Sequence, residues 1–205
     1  MLETISELFG EAYKRNWITA RDGNASIRWH DRDHMYITPS GIRKQTLQPE
    51  MFIKWDVTYE YRALPYTDIS MALRPSGEIP LHYGLQKTIN NDVRVVLHMH
   101  PTYTVAAMYA GIELSELVKE FPELGRYTRV GKNVPDVPPI SQALADATIP
   151  ALGLSDDGSL ENHIVGIDRH GVVSVDTSPW RAFEHIERLE HICKIVLSSR
   201  GANVL

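Results

Sequence analysis

Turns rather than helices separate the first strand-like runs of this chain, and this constrains its fold more than any other feature. Residues 25–29, 35–38 and 51–55 are short runs of β-forming residues. Turn signals divide them, first at 31–33 and then at Pro39-Ser40-Gly41. Two more runs, 163–167 and 172–175, are parted by Asp168-Arg169-His170. Strands joined by turns as often as by helices point to a largely antiparallel sheet with helices packed on its faces, not to a doubly wound parallel sheet.

Helical periods frame these runs. Ile5, Leu8, Phe9, Ala12 and Tyr13 make the i, i+3, i+4 stripe of an amphipathic first helix, which stops near Asn16. Ser178 as cap and Pro179 as first residue open a last helix with Phe183, Ile186, Leu189, Cys193 and Val196 on one face. Further helices are expected from Pro80 to about Asn90, over 102–110 and over 141–148, and a buried strand over 93–97. The stretch 111–139 is irregular, with short helical and extended pieces expected inside it. We read residues 1–205 as one domain, a length that can bury a sizeable core unaided.

Composition removes several function classes. Lys and Arg number 21 against 26 Asp and Glu, a net charge of −5 with the basic residues scattered, so no nucleic-acid partner is expected. No apolar run approaches a membrane span, and the N-terminus lacks the basic start and apolar centre of a secretory signal. Cys193 is the single cysteine, which excludes an internal disulfide framework and a cysteine-based zinc cluster. A cytoplasmic enzyme or module is therefore the expectation.

The sharpest motif is Val95-Val96-Leu97-His98-Met99-His100-Pro101. A strand turns residues i and i+2 to one face, so His98 and His100 present two imidazoles side by side. They suit two ligands of one metal ion, or are two half-exposed histidines at a strand end. His170, beside Gly171, is the best third ligand; read alone it is a turn histidine. Glu78 follows Pro75-Ser76-Gly77 at a helix start, where it is either an N-terminal acid favoured by the helix dipole or a catalytic base. His82, one turn on, reads as support or core, and Cys193 as core. Gly23-Asn24, Ser40-Gly41 and Ser76-Gly77 are loops whose backbone N–H groups could cradle an anion, though Pro-Ser-Gly is also ordinary turn chemistry.

In this order the pieces resemble the class II aldolase/adducin family. The matching residues are Gly23-Asn24-Ala25-Ser26-Ile27-Arg28, Ile37-Thr38-Pro39-Ser40-Gly41, Arg74-Pro75-Ser76-Gly77-Glu78 with His82, the motif 96–101, and Arg169-His170-Gly171-Val172-Val173. The resemblance spans about residues 5–197. It implies a three-layer α/β/α fold around a mostly antiparallel sheet, a homotetramer with active sites at subunit interfaces, and a sugar-phosphate substrate. It further implies Zn2+ (or another divalent transition metal) held by His98, His100 and His170. Glu78 is implied as catalytic acid/base, and Gly23, Asn24, Ser40, Gly41, Ser76 and Gly77 as the phosphate pocket.

The leading expectation is a zinc-dependent aldolase that cleaves a fuculose-1-phosphate-like ketose phosphate to dihydroxyacetone phosphate and a small aldehyde. Tyr127 is then the candidate proton donor opposite Glu78. The alternatives are a methylthioribulose-1-phosphate dehydratase with Glu120 or Glu123 as its acid, a sugar-phosphate 4-epimerase or decarboxylase, and a non-enzymatic adducin-like module. One departure is plain: the family usually has Ser-Ser before the glutamate, and this chain has Ser76-Gly77.

Overall fold

A computed structural model describes residues 1–58 and 61–202. Helix α1 (Leu2–Lys14) leads to strands β1 (Asn24–Trp29), β2 (His34–Ile37), β3 (Ile53–Asp56) and β4 (Ala63–Leu64). Next come α2 (Asp68–Met71), α3 (Ile79–Gln86), β5 (Val93–Met99) and α4 (Thr102–Tyr109). The short helices α5 (Leu117–Glu120) and α6 (Pro122–Tyr127) precede α7 (Gln142–Leu152), β6 (Ile164–Ile167), β7 (Gly171–Asp176) and α8 (Pro179–Ala202). The strands form one sheet in the order β4-β3-β2-β1-β5-β7-β6, and every pairing is antiparallel.

Strand β5 shows why two helical layers are needed, because all seven of its residues are buried. Val93, Val95, Leu97 and Met99 pack with α1, α4 and α8. Val96 packs on the other side with Leu81 and Leu85 of α3 and Leu144, Ala145 and Leu152 of α7. A strand covered on both faces reads as a continuous apolar run rather than an alternating one. The expected three-layer arrangement is thus the observed one. Cys193 lies fully buried on the α8 face, where desolvation pushes its thiol up to about 12. Among the described residues no helix is long and apolar enough to cross a membrane.

The structure corrects several boundaries. Tyr13 leaves the buried stripe of α1 and is 41% exposed. Helix α3 stops at Gln86 rather than near Asn90 because two strand arginines take its last carbonyls. Arg28 of β1 donates to Gln86 O and to Lys87 O, and Arg94 of β5 donates to Leu85 O and Thr88 O. Both arginines are buried, so the orphan C-terminal carbonyls are satisfied by guanidinium groups instead of another helical turn. Helix α7 runs past Thr148 and through Pro150 before Gly153, at φ 70°, ends it. The sequence reading missed α2, which a reciprocal pair of bonds between Thr67 and Ser70 caps without the usual glutamate.

Candidate active site

The period of two along β5 puts His98 on the side of Val96, and His100 follows just past the strand end. The β6–β7 turn brings up His170; Arg169 at φ 58° and a bond from His170 N–H to Ile167 O shape that turn. His98 Nε2 stands 2.9 Å from His100 Nε2 and 3.3 Å from His170 Nε2. The Nδ1–H of His98 donates to Val172 O at 3.0 Å, which leaves its Nε2 as a bare lone pair aimed at the other two rings. Nitrogens about 3.3 Å apart are what a tetrahedral ion with metal–nitrogen bonds of about 2.0–2.1 Å requires. Burial, followed by neighbouring imidazoles, pushes His98 and His100 down to about 3, so both hold the neutral, ligating form. The three imidazoles form a cluster able to hold a metal ion.

Glu78 closes this cluster. It is the N-cap of α3, yet its side chain makes no cap bond. Instead its Oε2 lies 3.5 Å from His98 Nε2 and its Oε1 3.5 Å from His170 Nε2. Asn24 Nδ2 donates to Glu78 Oε2 at 3.0 Å. Behind Asn24 runs a buried chain whose directions are forced. Gln86 Nε2 can only donate, and it does so to Ser26 Oγ at 3.0 Å. Asn24 Oδ1 can only accept, so His82 Nε2–H donates to it at 2.5 Å, and the Nδ1 of the neutral ring accepts from the Ser26 hydroxyl at 2.7 Å. His82 is the expected support, and burial pushes it down to about 3, which keeps it neutral in this chain.

The loops expected to cradle an anion partly clasp one another. Ser40 N–H donates to Arg74 O, Ser76 N–H donates to Thr38 O, and Pro39 bridges Pro75 in antiparallel fashion. Those two amides are spent on structure. The amides of Gly41 and Gly77 make no such bond among the described residues and remain, with the two serine hydroxyls, for a ligand. All six expected pocket residues, Gly23, Asn24, Ser40, Gly41, Ser76 and Gly77, line one cavity of about 200 Å³ together with Glu78 and the three imidazoles. Gly23 is required there on two counts: its φ is 72°, and a Cβ would sit 2.9 Å from His98 O.

The same architecture is known elsewhere. Residues 3–197 match the family described as Class II Aldolase and Adducin N-terminal domain. The chain belongs to this class II aldolase and adducin family. Its relatives include the methylthioribulose-1-phosphate dehydratase of Kluyveromyces lactis, 28% identical over 210 residues, which cover 97% of this chain and 96% of the relative. The enzyme of the same name from Lachancea thermotolerans is 28% identical over 137 residues; that alignment covers 64% of this chain but only about half, 49%, of the relative. Among solved structures, the L-fuculose-1-phosphate aldolase of Thermus thermophilus superposes with a TM-score of 0.76 at 19% identity, over 98% of this chain and 95% of that one. At that identity the likeness is one of fold.

The glycine at position 77, where the family resemblance led to the expectation of a second serine, has a close neighbour. A Cβ on Gly77 would lie 2.6 Å from Cγ2 of Ile140. Ile140 lines the cavity at φ 57°, an unfavourable backbone for a β-branched residue, and it occupies the space a second serine would fill. Sequence reasoning missed Ile140, Asp22 and Lys44, which also line the cavity. Isolated turn residues of these types carry no motif.

Tyr127, Glu120 and Glu123 are exposed on α5 and α6, and none of them lines the cavity within one chain. The Tyr127 ring instead lies 5.3 Å from the guanidinium carbons of Arg126 and of Arg188. A second cluster, His163, Asp176 and His185, is built differently. Its imidazoles stack 4.3 Å apart at 10°, so their in-plane lone pairs run parallel and do not converge. His185 is held by Asp176 and Thr128 as a buried structural bridge.

Proposed function

We propose that this chain is a metal-dependent lyase that removes water from a ketose 1-phosphate of the methylthioribulose 1-phosphate type. The observation that carries the reading is the meeting of three imidazoles and a buried carboxylate at the edge of an anion cradle. Dehydration is favoured over the expected aldol cleavage because relatives matched over 96% and 80% of their own length carry the dehydratase name. His98, His100 and His170 would hold the ion, and Zn2+ suits three imidazoles with an open position. When bound, the ion supplies Lewis-acid polarisation of the substrate carbonyl.

The chain's own residues supply the rest. The amides of Gly41 and Gly77 and the hydroxyls of Ser40 and Ser76 bind the phosphate and fix the distance from it to the reacting carbons. Glu78 removes the proton from the carbon next to the carbonyl. Its Oε2 is held by Asn24, so Oε1 is the oxygen that takes the proton. The hydroxyl on the following carbon then leaves as water and needs an acid. Glu120 or Glu123 is the proposed acid, supplied by a neighbouring subunit of a homotetramer, since both lie on the outside of their own chain. Tyr127 would fill the corresponding place in an aldolase. The proposed setting is the cytoplasm.

The test incubates metal-analysed protein with methylthioribulose 1-phosphate, with and without chelator, and follows the loss of one water by mass spectrometry. A parallel reaction offers dihydroxyacetone phosphate and small aldehydes. Chelator-sensitive dehydration supports the proposal. Condensation without dehydration restores the aldolase reading and overturns it.

A further inference from the structure

A buried lysine lines the cavity. Lys44 is 2% exposed and stands beside the Ser40-Gly41 loop, among the lining residues. Its backbone N–H is anchored on Ala20 O at 2.7 Å. Its Nζ donates to Pro39 O at 2.9 Å. An ammonium carries three donors, and no other acceptor receives Lys44 among the described residues. The carboxylate of Asp22 is near enough for its charge to act on Lys44 but makes no close ion pair with it among the described residues; its Oδ2 accepts from the Thr19 hydroxyl at 2.5 Å. A buried charge is costly until it is paired. Here the fold leaves it unpaired at the edge of a cradle whose other free donors, the Gly41 and Gly77 amides, are uncharged.

We propose that Lys44 is the charge-reading residue of the cradle and that the cradle takes a phosphate monoester as its dianion. Uncharged amides and hydroxyls recognise tetrahedral shape, and the ammonium adds the charge-assisted bond that separates a dianion from a neutral or singly charged group. It also supplies what the missing serine at Gly77 would have given the phosphate. The identity of the ester rests on the reading under Proposed function, but charge recognition is testable without turnover.

The experiment titrates inorganic phosphate into metal-loaded protein and, separately, into chelator-treated protein. Binding is read by calorimetry at pH 7.5 and pH 9.5; inorganic phosphate is mostly doubly charged at the first and almost wholly so at the second, a change that by itself would strengthen binding slightly. Burial lowers Lys44 to about 8. Loss of its proton across this window weakens phosphate binding by up to about 25-fold in both preparations. Lys44→Met, or Lys44→Gln if the first variant misfolds, weakens binding at pH 7.5 by about tenfold or more and removes most of the pH dependence. Arg21, Asp22, Glu78 and the three imidazoles face the same cavity. A pH dependence that persists in the variants belongs to them and overturns the proposal. Wild-type affinity that is flat between the two pH values overturns it as well, and needs no variant. Phosphate bound as described by a protein that does not dehydrate methylthioribulose 1-phosphate refutes the substrate reading and leaves the Lys44 assignment standing.

Discussion

Gly171→Ala is the substitution whose outcome the geometry constrains most. Gly171 opens β7, and its backbone needs no left-handed angle; what it needs is space. A Cβ there would sit 2.4 Å from Met99 O and 2.5 Å from His100 Cδ2. Ordinary contact begins near 3.5 Å, so about 1 Å must be found. The backbone cannot supply it easily, because Met99 pairs with Val172 in register and both are fully buried. The movable partner is the His100 ring. Overpacking of this kind costs about 1–3 kcal/mol, which lowers the melting temperature of a domain this size by several degrees. The effect on metal is larger in proportion. Ligand positions must hold within about 0.2 Å, and disturbing even an outer partner costs about 10–100-fold in affinity. The assay is metal content per chain after dialysis against graded chelator, with urea denaturation of the same samples. A Gly171→Ala protein that keeps wild-type metal affinity would refute the close approach of β7 to His100 and the role of His100 as ligand.

Four further outcomes follow. His98→Ala and His100→Ala lose the metal and turnover together; full metal content in either variant, measured by elemental analysis, sinks the ligand assignment. Glu78→Gln keeps the metal but lowers kcat at least about 100-fold, checked by steady-state kinetics alongside metal content. His82→Phe releases Asn24 and leaves the Ser26 hydroxyl buried without its acceptor, costing about 1–3 kcal/mol of stability. It also lowers kcat with metal content unchanged, and an unaltered kcat in the folded variant would remove His82 from the support of Glu78. Lys44 titrates at about 8 in the fold instead of 10.5, so the folded state disfavours its charge. That cost is fully present below pH 8 and is relieved as pH rises toward 10.5, by up to about 3 kcal/mol. Urea melts at pH 7.5 and 10 should show this gain in the wild type and lose it in Lys44→Met.

The pairing of His98 with His100 was legible because it rests on strict local geometry, and the family resemblance added His170. The period of two in β5 puts His98 and His100 on one side, and only the closure of the β6–β7 turn brings His170 beside them. The layers were legible through the stripe of α8 and the mainly β-branched run 93–97 of β5. What escaped depends on contacts between distant segments. No local pattern reveals that Arg28 and Arg94 will end α3, or that Ser40 and Ser76 spend their amides on each other's loops. Lys44 follows a Pro-Ser-Gly turn and reads as a solvated surface residue until the fold closes over it. Gly77 looked like a lost hydroxyl, and only the position of Ile140, sixty-three residues on (140 − 77), turns it into an exchange of volumes.

The buried chain from Gln86 through Ser26, His82 and Asn24 to Glu78 has a polarity, and the polarity has a consequence for proton traffic. Every link points toward the carboxylate, and the member that touches Glu78 is the Asn24 amide nitrogen, which can donate a proton bond but not accept a proton. The interior is thus an insulator behind the Glu78 carboxylate. A proton that reaches Glu78 resides on Oε1, on the His170 side, and can leave only by the cavity through which it came. While substrate fills that cavity the proton is captive. A hydrogen isotope taken from one carbon of the substrate would then be returned to product more often than exchange with bulk water would allow.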